Sequence, residues 1–194
     1  MAKSQEISFS YFSQKKIIYA IVLLLGTVVY FNTLKNGYNI DDELVTINHR
    51  LTSKGISAIP EIFSSPYYKD EMGYSFEYRP VTLSSFAIEH QFFGDNVFIS
   101  HFLNLFLYIV TVFFFIKNLF VLNVKGSKYF ILFSALLFAV HPMHTEVIAS
   151  IKNRDELLSL MFSLIALHQS LIFLLKGNFL RLLIIVILIC LGLL

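Results

Sequence analysis

"IIYAIVLLLGTVVYFNTLKNGYNIDD", residues 17–42, decides what kind of molecule this is. No side chain from Ile17 to Leu34 carries a charge. At 1.5 Å of rise per residue this run makes about 27 Å of helix, close to the roughly 30 Å of a bilayer's hydrocarbon core. Lys15 and Lys16 precede it, and Asp41, Asp42 and Glu43 follow a few residues after it. The stretch therefore reads as a membrane crossing with opposite charge at its two ends. No small-x-small cleavage pattern follows, which favours a signal anchor over a removable signal peptide.

The rest of the chain agrees. Its 194 residues are 56% hydrophobic and 14% charged, include 21 phenylalanines, and have a mean hydropathy of +0.69, well above a soluble domain of this size. A net charge of +2, without an arginine-rich run or an aromatic RNA-binding pattern, excludes nucleic acid as a partner. The single cysteine, Cys190, supports neither a disulfide framework nor a cysteine metal site within the chain.

Five apolar segments are expected to be helical: Ile17 to Leu34, Phe98 to Ile116, Tyr129 to Val140, Leu157 to Leu175, and Leu182 to Leu194. The third is too short to cross unless it continues through the polar "HPMHTE" that follows it. Lys3, Lys15, Lys16, Lys117, Lys125, Lys128, Lys176 and Arg181 then share one side, which the positive-inside rule makes cytoplasmic. Twelve of the thirteen acids, all but Glu6, fall on the other side, in residues 35–97 or 141–156. The fold class is thus an all-α polytopic membrane protein with about five spans, a large first outer loop (35–97), a second outer loop (141–156) and a cytoplasmic amino terminus. In the first loop, Ile59, Ile62 and Phe63 suggest a short amphipathic helix lying on the membrane surface. Only 13 residues follow Arg181, about 20 Å of helix, so the chain reads as the amino-terminal part of a longer protein. Short lysine-rich loops suggest a bacterial inner membrane.

Three constellations could carry chemistry. Asp41 and Asp42 are tethered near the headgroups and suit a general base beside a cation or phosphate; the alternative is a solvated acidic loop. Arg79, just before Pro80 in "FEYRPVTLSSFAIEHQFFG", could grip a phosphate with its guanidinium fork, or snorkel toward headgroups. In "HPMHTEVIASIKNRDELLS", His141, His144 and Glu146 could meet at a helix end as metal ligands, phosphate donors or proton carriers. Arg154 would then face a phosphate with Asp155 orienting it, unless these charges only mark the end of a helix hairpin. Glu89, His90 and His101 read as loop and helix-rim residues, and His168 as a buried hydrogen-bonding group.

Taken in order, "YNIDDELVTINH", "YRPVTLSSFAIEHQFFGDNVFISHFLNLFLY" and "AVHPMHTEVIASIKNRDELLS" resemble the amino-terminal part of GT-C fold glycosyltransferases, specifically the TMTC-like and protein O-mannosyltransferase-like membrane enzymes. The resemblance implies a transferase that moves a sugar from a polyprenyl-phosphate donor to an acceptor hydroxyl, commonly of serine or threonine, at the outer membrane face. It assigns the base to Asp41 or Asp42, with Asp41 preferred and Asp42 supporting it or holding a divalent cation where one is used. It implies that Arg79, His141, His144, Glu146, Arg154 and Asp155 serve the donor phosphate. Such enzymes continue through further spans, so a non-catalytic subunit or inactive fragment is the alternative. A proton-driven transporter fits less well, because it needs ionisable groups at mid-membrane.

Overall fold

The computed structural model describes residues 2–47, 49–69, 72–122 and 128–194, and within the first helix the side chains from Gln14 onward. Lys3, Glu6, Asp70, Glu71 and Lys125 of the charge pattern therefore lie outside the described side chains. In chain order the helices are α1 (Ala2–Tyr30), α2 (Ile40–Val45), α3 (Ile59–Ile62), α4 (Pro80–Phe93), α5 (Val97–Val121), α6 (Lys128–Ala139), α7 (His144–Ala149), α8 (Arg154–Lys176) and α9 (Phe179–Leu193). A small hairpin pairs β1 (Tyr68–Lys69) with β2 (Ser75–Phe76), antiparallel, with Tyr68 opposite Phe76.

Among the described residues three stretches are long and apolar enough to cross a membrane: Gln14–Lys35, α5 and α8. α6 and α9 are apolar but shorter. α6 does not continue through "HPMHTE": it ends at Ala139, the chain turns, and α7 restarts at His144. Pro142 explains the break, since it has no amide hydrogen and disfavours helical backbone at the residue before it, His141. At the far end of α8, Gly177 takes a left-handed conformation (φ 58°, ψ 50°) that closes the helix, and the Asn178 side chain caps α9 by accepting from Leu180 N at 2.9 Å.

Two cores hold the molecule. Along the apolar helices, α1, α5 and α6 meet through Val22, Tyr30, Tyr108, Val112, Ala135 and Ala139, all buried. Apolar side chains on the outer sides of these helices and all along α9 stay exposed, the pattern of a surface whose solvent is lipid.

The first loop has a core of its own. Val45, Ile62, Tyr67, Leu83 and Phe86 pack together, joined by Ile151 from the second loop. Each such side chain contributes roughly 1.5–3 kcal/mol by leaving water. The one-turn helix α3 therefore sends Ile62 inward and leaves Phe63 exposed, which corrects the expectation of a helix lying on the membrane.

Candidate functional site at the loop end of the bundle

The acidic stretch forms α2 because Asn39 caps it. The Asn39 side chain accepts from Asp42 N at 2.8 Å, and Asp42 Oδ2 accepts from Asn39 N at 3.1 Å, a reciprocal capping box. Asp42 is fully buried, and its other oxygen, Oδ1, accepts from Lys152 N at 2.8 Å and from Ser150 Oγ at 3.2 Å. It therefore fastens the first loop to the second. With both oxygens occupied by protein donors, Asp42 is placed neither to take a substrate proton nor to hold a cation, which corrects that part of the sequence reading. Its neighbour on the helix points elsewhere. The Asp41 side chain is 63% exposed, and its Oδ2 lies 3.8 Å from Lys152 Nζ. Lys152 Nζ in turn sits 5.0 Å from the centre of the Tyr68 ring.

Three residues beyond Lys152, Asp155 Oδ2 accepts from Arg79 Nε at 3.3 Å, and Glu77 is 3.8 Å from the same nitrogen. The Arg79 side chain remains 40% exposed. Three residues of chain span at most about 10–11 Å, so one short stretch, Lys152 to Asp155, carries the partners of both Asp41 and Arg79. Tyr67 joins them from below. Its hydroxyl donates to the Lys152 carbonyl at 2.7 Å, and Asp155 and Arg79 both lie within its electrostatic reach. Burial pushes the Tyr67 phenol far above its ordinary range, with Asp155 adding to the effect, so it stays a neutral donor.

Arg154 occupies a different place from the one expected. It is 1% exposed, paired with buried Glu89 at 2.7 Å, and it donates to Asn104 Oδ1 at 2.7 Å and to the Ser100 carbonyl at 3.2 Å. Its guanidinium lies 4.2 Å from the centre of the Phe86 ring. Glu89 also accepts from Ser100 Oγ. Arg154 thus locks α4, α5 and α8 together and faces no open surface, and Asp155 orients Arg79 rather than Arg154. Glu89 and His101, read as rim residues, are also buried. His101 Nε2 sits 3.4 Å from the Gly37 carbonyl.

His141 and His144 group with the apolar helices. His144 Nδ1 is 2.8 Å from Tyr108 Oη, the ring packs edge-on against Phe138, and Tyr30 Oη donates to the His141 carbonyl at 2.8 Å. Burial, helped by the charge of His141, lowers the His144 pKa. Among the described residues neither histidine shares a hydrogen bond or ion pair with Arg79 or Asp155. Glu146 is exposed and lies close enough to Glu156 for their charges to interact.

Beside the Arg79–Asp155 pair a cleft of about 500 Å³ opens between α4, α8 and α9. Arg79, Thr82, Asp155 and Ser159 give it polar groups, while Leu158 and Leu191 line its apolar side. Among the described residues no group of three or more histidine, cysteine or acidic side chains could hold a metal ion. Lys152 and Tyr67 are the site residues the sequence reading passed over. Lys152 stood inside the quoted "IKNRDE", but its chemistry depends on a partner 111 positions away in sequence, Asp41.

No protein-family model and no solved structure matches the chain. Curated proteins do. The chain is 32% identical over 151 residues to the Caenorhabditis elegans protein O-mannosyl-transferase F38B6.6, a match covering 76% of this chain and 22% of that protein. It is 30% identical over 153 residues to the human protein O-mannosyl-transferase TMTC3, covering 75% and 16%. Against the mouse protein O-mannosyl-transferase TMTC2 it is 28% identical over 151 residues, covering 74% and 17%. The chain thus spans about a fifth of the length of these relatives.

Proposed function

Taking as premise that the chain is a sequence relative of the TMTC-type protein O-mannosyl-transferases, we propose that it supplies the reacting end of a GT-C membrane transferase. That enzyme moves a sugar, mannose by the relatives' names, from a polyprenyl-phosphate carrier to a protein hydroxyl at the outer face. The observation that carries this reading is that one stretch, Lys152 to Asp155, pairs with both an exposed carboxylate, Asp41, and an exposed guanidinium, Arg79, the latter lining a cleft that is polar at one side and apolar at the other.

Each group has a task. A hydroxyl is a weak nucleophile until a base accepts its proton, and Asp41 is the carboxylate free to do so. As the acceptor oxygen bonds to the anomeric carbon, the bond from that carbon to the carrier phosphate breaks, and the electron pair leaves with the phosphate. A single displacement of this kind inverts the anomeric centre. Arg79, aimed by Asp155 and Glu77, is the cation available to stabilise the phosphate as it departs. Lys152 holds Asp41 in place. The cleft's apolar side accepts the first prenyl units, which is why such a site belongs where a lipid helix surface meets a polar loop. His141, His144 and Glu146 shape the neighbouring hairpin rather than touch the phosphate.

Transfer from a radiolabelled polyprenyl-phosphate mannose to a serine-containing peptide, in membranes expressing the protein, tests this. Asp41→Asn is expected to lower the rate by about 10² or more at matched protein level, the usual size of a general-base contribution. Unchanged transfer in Asp41→Asn would remove the assignment. A second reading has one observation behind it: Asp42 and Arg154, both candidate site residues, serve as struts. It predicts a scaffold subunit, and absence of transfer in the unaltered protein would favour it.

A further inference from the structure

At the end of the bundle remote from Asp41, two cations, Lys117 and Arg181, have no carboxylate partner among the described residues. Lys117 and Asn118 sit near the close of α5, His168 lies 14 residues into α8, about 21 Å from the Arg154 end, and Arg181 is in the first turn of α9. His168 Nδ1 is 3.2 Å from Asn118 Oδ1, and Asn118 Nδ2 donates to the Leu164 carbonyl at 2.9 Å. Since the amide nitrogen of Asn118 is already donating, its oxygen must accept, which places the His168 proton on Nδ1. Lys117 and Arg181 both lie within electrostatic reach of His168 and so converge on it from two helices.

Arg181 Nη1 donates to Gln169 Oε1 at 2.5 Å, but its buried Nε has no partner. Lys117 Nζ rests over the rings of Phe113 and Phe114, at 5.6 and 5.2 Å. Among the described residues neither cation pairs with a carboxylate. Every described acid lies at the other end, in residues 41–95 or 146–156; the side chains of Glu6, Asp70 and Glu71 are outside the described residues, and of these Glu6 precedes the first span on this side in the sequence. A half-buried cation beside hydrocarbon without a counter-charge is costly. The surrounding helix faces are apolar: Leu174, Leu175, Phe179 and Leu180 are between 59% and 81% exposed.

We propose that Lys117 of α5 and Arg181 of α9, the two cations within reach of His168 on α8, bind a phosphate group, with Lys117 Nζ and Arg181 Nε as its donors and an anionic phospholipid headgroup as its source. The guanidinium fork and a point-charge ammonium suit a phosphodiester, and the exposed leucines and Phe179 give the acyl chains a surface to lie on. His168 keeps Asn118 and α8 in register and does not itself donate to the phosphate.

Native mass spectrometry of the full chain, released from vesicles of equimolar phosphatidylglycerol and phosphatidylcholine, reads this directly. The unaltered chain is expected to retain phosphatidylglycerol in preference. The Lys117→Gln/Arg181→Gln double variant should lose that preference by about tenfold, and Lys54→Gln, on the loop, should not. Arg181→Lys, which keeps the charge but not the fork, is the fold-preserving check and should fall between. Equal retention of the two lipids by the unaltered chain overturns the proposal, as does a double variant with undiminished preference. So does a preference that emerges only in Glu6→Gln, because Glu6 would then be the counter-charge. Inorganic phosphate raising the detergent melting temperature as much as phosphatidylglycerol does overturns the lipid as source.

Discussion

At the residue scale the molecule separates two kinds of charge that look alike in sequence. Adjacent Asp41 and Asp42 differ because helix geometry turns one to solvent and the other into a ring of donors. Arg79 and Arg154 differ in the same way. Removing one member of a buried ion pair leaves the other charged and unpaired, at a cost of about 3–5 kcal/mol. Glu89→Ala should therefore destabilise the chain strongly in a detergent melt. The Arg154→Met, Glu89→Leu double variant should recover much of that loss, because no buried charge remains.

A second residue-scale expectation concerns pH. Burial pushes the pKa of His144 below the ordinary 6.5, and burial with Arg50 does the same to His49. A histidine whose folded value lies below its unfolded value binds more protons when unfolded. Its contribution is fully present above about pH 6.5 and is lost as pH falls through the folded value. The melting temperature should therefore fall between pH 7 and pH 5. A shallower fall in His144→Gln, with His49 intact, would verify the sign; an unchanged slope would contradict it.

Among the elements, backbone constraints matter most where the first loop folds against itself. Gly55 has φ +70° and ψ −154°, a region essentially reserved for glycine, and a Cβ there would stand 2.3 Å from Gln91 Oε1. Gly55→Ala should cost about 1–3 kcal/mol from the backbone term alone. Adding Gln91→Ala relieves the contact but not the φ, so a partial rescue in the melt separates the two. The elements also show what the sequence made legible. Apolar run length gave the long helices, but the five-span reading carried α6 on through "HPMHTE", past the Pro142 that ends it. The inward turn of Ile62 was not legible, because a single helical turn carries too few positions to say which way its apolar face points. Nor were the Asp42–Lys152 and Arg154–Glu89 contacts. A charge's role depends on partners 65 to 110 positions away in sequence, and no local pattern records them.

For the whole molecule, two loops far apart in sequence close over one end of a helix bundle, while most of the cations gather at the other. That polarity predicts an orientation. Lys15, Lys16, Lys117, Lys128, Lys176 and Arg181 belong to one end, and the positive-inside rule assigns that end to the cytoplasm. The placement of Asp41 and Arg79 on the outer face, where a lipid-linked sugar would be presented, depends on it. Ser53 and Asn178 are exposed at opposite ends of the bundle. In a background lacking Cys190, a cysteine at Ser53 should react with a membrane-impermeant maleimide in intact cells, and one at Asn178 only after the membrane is opened. Labelling at Asn178 alone would invert the molecule, leaving Asp41 and Arg79 in the cytoplasm. Labelling at both in intact cells would mean that the bundle does not cross the membrane as its three long apolar helices require.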